Sequence, residues 1–355
     1  MNSSIDIQSG AERVSFILRG LYEKYGYTQF KMSKFEEYDL YVRNKSFLLS
    51  DNIITFTDRD GKLMALKPDV TLSIVKGSEA KPVGVRKVYY NENVYRVPKG
   101  ALSFKEIMQT GLECIGQIDT YSICEVLTLA AKSLEAISSD FVLDVSDLGI
   151  ISSVVASMGL DAEARERIFT AVGEKNIGAI DAVCCECGAD GEVLKSLVSM
   201  KGDVSEMLEI LKNSECVNDA ENFAAIISVL KARFGSRIRI DFSVVDDMRY
   251  YNGIVFKGFI KGIPSSVLSG GRYDGLMSIM GKSGGAIGFA VYLDLVDELV
   301  CDEEEYDADV FVVYSDDTPL ELIAETVESL VREGKKVQSG RSIPEGFRFR
   351  ELCKL

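Results

Sequence analysis

Histidine is missing from all 355 residues. That removes every mechanism that needs an imidazole base, an imidazole-activated nucleophile or a histidine metal ligand. Any catalysis would fall to carboxylates, lysine, cysteine or tyrosine. No run approaches the roughly 18 apolar residues that span a bilayer, so no membrane association is expected. The N-terminus, MNSSIDIQSGAERV, lacks the basic segment and apolar core of a secretion signal. Cationic excess is absent as well. Forty Lys and Arg stand against 55 Asp and Glu, a net charge of −15, which suits poorly a surface that must neutralise phosphates. Eight cysteines without a secretion signal read as reduced thiols of a cytoplasmic protein. Cys184, Cys185 and Cys187 crowd together, but no second Cys-x-x-Cys and no histidine completes a tetrahedron, so no metal is expected.

What is present is an ordinary globular composition, 46% hydrophobic and 27% charged. At this length it predicts a large core and two domains, about 1–300 and 306–355. Ser9 and Glu12 form a capping box, opening a helix whose apolar stripe is Val14, Ile17, Leu18 and Leu21; Tyr25-Gly26-Tyr27 ends it. From Phe47 to Leu66 the chain reads as a β-hairpin about Asp60-Gly61. Asp69 stands at the start of a helix with Val70, Ile74 and Val75 on its apolar side, where a carboxylate suits the helix dipole. A further helix is predicted from Ser122 to Ala136, and FVLDVSDLGII reads as a strand leading into a turn.

From about 150 to 235 the pattern is helical throughout. Its stripes are Leu194, Leu197 and Val198, then Met207, Leu208, Ile210 and Leu211, then Phe223, Ile226, Ile227 and Leu230. Strand alternation returns with Ile238, Ile240, Phe242 and Val244. In the tail, Asp309 to Tyr314 is a strand. Thr318-Pro319-Leu320-Glu321 caps a helix that runs to Glu333 and stops at Gly334, and KKVQ is a second strand, making one β-α-β unit.

Two stretches carry candidate chemistry. In Lys87–Gly116 a β-forming run ends at Arg96, a loop follows, and a second run from Ile107 to Ile115 holds Gln109 and Glu113. Residues four apart in a strand share a face, so Arg96 could look across at both. A guanidinium beside an amide and a carboxylate suits a zwitterion bearing one more cationic group. The same residues also fit a surface hairpin with ordinary charges. In the second stretch, Tyr250-Tyr251 offer aromatic walls with hydroxyls, fit for a flat ring carrying N–H groups or for plain interior packing.

The first stretch resembles motif 2 of the class II aminoacyl-tRNA synthetases, most closely the histidyl type. Arg96 stands at its first arginine, and Gln109-Thr110-Gly111-Leu112-Glu113 matches its Q-x-G-x-E. Lys67, Pro68, Asp69 and Thr71 match the family's R-P-E-x-T with conservative changes. Tyr250-Tyr251, Gly253 to Phe256 and the heptamer Gly270 to Leu276 match its histidine signature. The resemblance implies an α+β fold, a class II synthetase-like antiparallel sheet flanked by helices, with a helical insertion at about 150–235. The tail would be a partial anticodon-binding-like segment. It also implies a histidine site at Asp69, Thr71, Arg96, Gln109, Glu113, Tyr250 and Tyr251. There Asp69 takes the ammonium, Arg96 the carboxylate, and Glu113 with Tyr251 the ring.

The departures fall on the groups that handle ATP. Pro98 replaces the glutamate after the first arginine, Lys105 or Ser103 the second arginine, Asp246 the arginine of the histidine signature and Leu295 the arginine of the third motif. Putting a carboxylate where negative charge must be stabilised works against adenylation. The pattern resembles the regulatory subunits of short-form ATP phosphoribosyltransferase, synthetase paralogues that act in histidine biosynthesis. That resemblance implies no catalytic residues, no cofactor, no tRNA partner and binding of histidine. The catalytic subunit would be the partner, with a homodimer inside a hetero-octamer. The alternatives are an active histidine-activating enzyme and a paralogue serving another pathway.

Overall fold

The computed structural model describes residues 10–45, 52–79, 83–97, 103–245, 250–300 (side chains as far as 296) and 306–355. Two compact units divide the chain, Met1–Glu298 and Leu299–Leu355.

The first unit opens with helix α1 (Gly10–Lys24), then β1 (Thr28–Gln29), β2 (Phe35–Glu37), α2 (Tyr38–Arg43), β3 (Thr55–Thr57), β4 (Leu63–Leu66) and α3 (Thr71–Lys76). Ser9, half of the expected capping box, lies outside the described residues. The buried stripe of α1 is Ala11, Val14, Ser15, Leu18 and Tyr22. Ile17, expected inside, is 42% exposed. Tyr22 takes the inward place instead, because its ring fills the core while its hydroxyl meets Ser133 Oγ at 2.9 Å. The hairpin forms between β3 and β4, antiparallel, with β2 on the other side of β4. Asp58 closes its turn by accepting from the amides of Asp60 and Lys62, and Gly61 takes φ 80°. The beginning of the predicted hairpin, 46–51, lies outside the described residues.

Strands β5 (Val85–Arg96) and β6 (Lys105–Gly116) pair antiparallel along their whole length, from Val85↔Gly116 to Arg96↔Lys105. Helix α4 (Thr120–Ile137) follows, capped by Asp119, which accepts from Ser122 N at 2.8 Å. Next comes β7 (Phe141–Asp147). It does not lead into a turn as expected. Helix α5 (Leu148–Ser157) begins at the next residue, with Asp147 accepting from Gly149 N, so the last strand residue is also the helix cap. The helical stretch continues as α6 (Ala162–Gly173), α7 (Ile177–Cys187), α8 (Glu192–Ser199), α9 (Val204–Leu211) and α10 (Val217–Phe234). The stripes Leu194-Leu197-Val198 and Phe223-Ile226-Ile227-Leu230 are buried, whereas α9 buries Met207 and Leu211 and leaves Leu208 and Ile210 half-covered.

Strand β8 (Ile238–Ile240) is shorter than its alternation predicts. Asp241 takes the amide and hydroxyl of Ser243 and bends the chain, so Phe242 and Val244 are buried from a turn. The unit ends with β9 (Ile254–Ile260), β10 (Leu268–Arg272), α11 (Asp274–Ile279), β11 (Gly285–Tyr292) and α12 (Leu293–Val300). The strands form one eight-stranded sheet in the order β1-β5-β6-β11-β10-β9-β7-β8, antiparallel except for β1–β5 and β7–β8.

Alternation along these strands divides the sheet's two faces. Leu112 and Cys114 of β6, with Ile287, Phe289 and Val291 of β11, share the core of α1 and α4. The intervening residues Gln109, Gly111 and Glu113, with Gly288, Ala290 and Tyr292, face the other way, toward α3 and the Tyr250 segment.

The second unit is a parallel three-stranded sheet: β12 (Ala308–Val313) lies between β13 (Val337–Gly340) and β14 (Phe349–Lys354), with α13 (Leu320–Arg332) connecting β12 to β13. The third strand goes beyond the single β-α-β unit expected. Thr318 does not cap the helix. Its hydroxyl accepts from Ser315 N, and Pro319 takes the cap position with its fixed φ.

Candidate functional site

All seven residues assigned to the site converge. Asp69, Thr71, Arg96, Gln109, Glu113, Tyr250 and Tyr251 line one cavity in the first unit. The register explains much of it. Glu113 lies opposite Val88 on one side and Gly288 on the other, while Gln109 lies opposite Glu92 and Tyr292. The cross-strand rows therefore run from a carboxyl at one end of the cavity to an amide and a phenol at the other.

Glu113 is the floor. Thr71 Oγ1 donates to its Oε1 at 2.8 Å and Tyr273 OH to its Oε2 at 2.5 Å. The residue is 2% exposed. Burial drives the carboxyl up to about 8, Tyr273 and Thr71 pull it back, and Asp69 adds to the rise. Asp69 is half-buried and starts α3, accepting from Leu72 N at 2.9 Å. Burial raises its carboxyl too, opposed by the Leu72 amide and by the charge of Arg96. The Arg96 guanidinium lies over the Tyr292 ring, 5.9 Å from its centroid. No carboxylate among the described residues lies within ion-pair distance of this buried cation.

The tyrosines form the walls. Tyr250 and Tyr251 meet edge to face at 4.7 Å, and Tyr250 lies 5.7 Å from Tyr273. Burial keeps the Tyr250 and Tyr273 phenols protonated well above their ordinary range, so both remain donors. Two hydroxyls, those of Thr71 and Tyr273, rest on Glu113. Gly271 gives Tyr251 its place, since a Cβ there would come 2.6 Å from Tyr251 Cδ1.

Four lining residues with polar side chains were not assigned from sequence: Tyr90, Ser269, Tyr273 and Tyr292. Tyr90 was findable, being six residues before Arg96 on the same strand face. Tyr273 sits inside the quoted heptamer, whose other members hold it. Its amide donates to Ala286 O, and Asp274 Oδ1 accepts from Ala286 N at 3.0 Å, stitching the segment to β11. Ser269 and Tyr292 carry no local signal.

The departures from the synthetase pattern divide. Pro98 and Asp246 lie outside the described residues. Leu295 packs against the large core. Lys67, at the arginine of R-P-E, is buried and pairs with Glu92. On α7, Cys184 is buried while Cys185 and Cys187 are exposed, and among the described residues no cluster of three or more potential metal ligands occurs. No helix among the described residues is long and apolar enough to cross a membrane.

The high Glu113 value has a testable consequence. The folded chain keeps a proton that the unfolded chain has released between the ordinary 4.5 and about 8. Stability contributed by this group is therefore complete below 4.5 and falls as pH rises through that window. Glutamine, neutral throughout, escapes the loss. Glu113→Gln is expected to match wild type near pH 5 and to gain on it toward pH 8, at up to about 1.4 kcal/mol per pH unit. Denaturant unfolding across pH measures this, and a difference independent of pH would mean that Glu113 is ionised in the fold.

The histidyl-tRNA synthetase family profile matches residues 9–296. The ATP phosphoribosyltransferase regulatory subunit of a Thermoanaerobacter species is 31% identical over 78% of this chain and 75% of its own length. That of Clostridium acetobutylicum is 28% identical over 91% of this chain and 83% of its own. Among solved structures, the ATP phosphoribosyltransferase regulatory subunit/histidyl-tRNA synthetase of Bacillus halodurans superposes with TM-score 0.75, covering 97% of this chain and 93% of that one at 20% identity. A chain of the ATP phosphoribosyl transferase (HisG:HisZ) complex of Thermotoga maritima superposes with TM-score 0.63, covering 79% and 96% at 17% identity. The fold is the class II synthetase fold of the histidyl type, and the chain belongs to the family of ATP phosphoribosyltransferase regulatory subunits.

Proposed function

We propose that this chain binds free histidine in the cavity and passes its presence to a catalytic phosphoribosyltransferase subunit, with no aminoacylation of its own. The observation that carries this reading is the charge layout of one cavity: the buried Arg96 toward one end, Asp69 at the α3 start, and the hydrogen-bonded Glu113 on the floor. An α-amino acid carboxylate answers the guanidinium, its ammonium answers Asp69, and a ring N–H answers Glu113. The tyrosine walls suit a flat heteroaromatic ring.

Adenylation has little support from the residues present. Leu295, packed against the core, stands where the synthetases place an arginine. ATP and phosphoribosyl pyrophosphate would then bind the catalytic partner. A homodimer inside a hetero-octamer is the assembly implied by the family, with tRNA outside it. The acidic charge of the chain agrees with that exclusion.

The test is reconstitution with a short-form catalytic subunit. Histidine should inhibit the complex, while the chain alone should give no histidine-dependent ATP–pyrophosphate exchange. Coupling between sites is reciprocal, so saturating phosphoribosyl pyrophosphate should weaken histidine binding by the same factor. Measurable exchange would favour an active synthetase, and equal histidine affinities with and without that substrate would remove the regulatory mechanism.

A further inference from the structure

Tyr292 is the last residue of β11, and it lines the cavity at the Gln109 end of the cross-strand rows, away from Glu113. It stands four positions along the strand from Gly288, the neighbour of Glu113, which is roughly 13 Å of strand. Its hydroxyl is 2.6 Å from Ser269 Oγ on the neighbouring strand, and its amide donates to Val267 O at 2.9 Å. The side chain is thus tied to β10 and the backbone to the residue just before it. The Arg96 guanidinium lies over the ring, so the group best placed for a ligand carboxylate rests on this stop.

We propose that Tyr292, latched by Ser269, sets the length of the ligand: the site takes a free amino-acid carboxylate and refuses the same amino acid joined through that carboxylate to a larger group. This rests on the reading of the cavity as a histidine site. A carboxylate ends at the guanidinium, whereas an ester or acyl phosphate must continue beyond it, into the space held by the phenol ring. The latch keeps the ring from swinging aside, because turning it away breaks the contact with Ser269 in a place partly closed to water. The selection is steric and acts in addition to charge recognition by Arg96.

Three ligands separate size from charge in calorimetry on the full chain: L-histidine, histidinamide, which loses the charge but adds no bulk, and a histidyl-sulfamoyl adenosine, which extends past the carboxyl carbon. Wild type should bind the adenosine conjugate at least tenfold more weakly than histidinamide. Tyr292→Gly should lower that ratio at least tenfold, and Ser269→Ala should move it in the same direction by less. Should the glycine variant fail to fold by thermal melting, Ser269→Ala and Tyr292→Phe carry the comparison. A conjugate that wild type binds as well as histidinamide, or a ratio unmoved in the folded variants, overturns the stop. Absence of histidine binding to wild type overturns instead the reading of the cavity on which the stop depends.

Discussion

Arg96→Ala is expected to cost histidine binding about 2 kcal/mol or more, a loss of thirtyfold or greater in affinity, the range for truncating one partner of a buried charge contact. Three features put this residue above its neighbours. It is 9% exposed and makes no ion pair among the described residues, so water screens little of its attraction for a ligand carboxylate. Asp69 lies close enough to be lowered by its charge, so removing the guanidinium would leave the ligand carboxylate beside an uncompensated acid. The Tyr292 phenol beneath it, 2.6 Å from Ser269 Oγ, brings no positive charge to take the guanidinium's place. Lysine should restore only part of the affinity, since a point charge lacks the planar fork that meets both carboxylate oxygens. Calorimetry on Arg96→Ala and Arg96→Lys decides this. Affinity unchanged in the alanine variant would place the carboxylate elsewhere.

Gly288→Ala should damage the site through the backbone. A Cβ there would lie 1.7 Å from Glu113 Oε2 and 2.4 Å from the Leu112 carbonyl oxygen. The first contact involves a carboxyl already held by Thr71 and Tyr273. The second involves a main-chain atom of the β6–β11 ladder, which cannot rotate aside. Relief requires the two strands to separate in the middle of the sheet. The expected loss of stability is about 3 kcal/mol or more, at the upper end of overpacking, accompanied by loss of the cavity. Gly275→Ala is the control. It lies in α11 with nothing within 4 Å of its Cβ, and alanine there should be neutral or slightly stabilising. Denaturant unfolding of the two variants measures the difference, and equal stabilities would show that the ladder tolerates a side chain at 288.

Legibility differed from element to element for identifiable reasons. The face shared by Arg96, Gln109 and Glu113 was readable because strand period is two and the hairpin joining β5 to β6 is local. The stripes of α8 and α10 were readable because each helix buries one continuous side. In α1 two adjacent apolar residues, Phe16 and Ile17, compete with Tyr22 for the inside, and their spacing alone cannot rank them. Strand β14, FRELCK, was invisible because it sits at a sheet edge with mostly exposed residues and shows no apolar alternation.

By itself the sequence determined the chemistry that is missing and the local frames that remain. No imidazole can act here, the heptamer Gly270–Leu276 names its family on sight, and alternation assigns each strand residue a face. Tertiary structure alone decided which faces meet. Glu113 reaches Tyr273 across 160 residues of chain, and Tyr292 meets Ser269 across 23, only because β6, β11 and β10 lie side by side in one register. Such pairings follow from long-range strand order and from glycines that admit a neighbour's side chain, which leave no periodic trace near the residues they bring together.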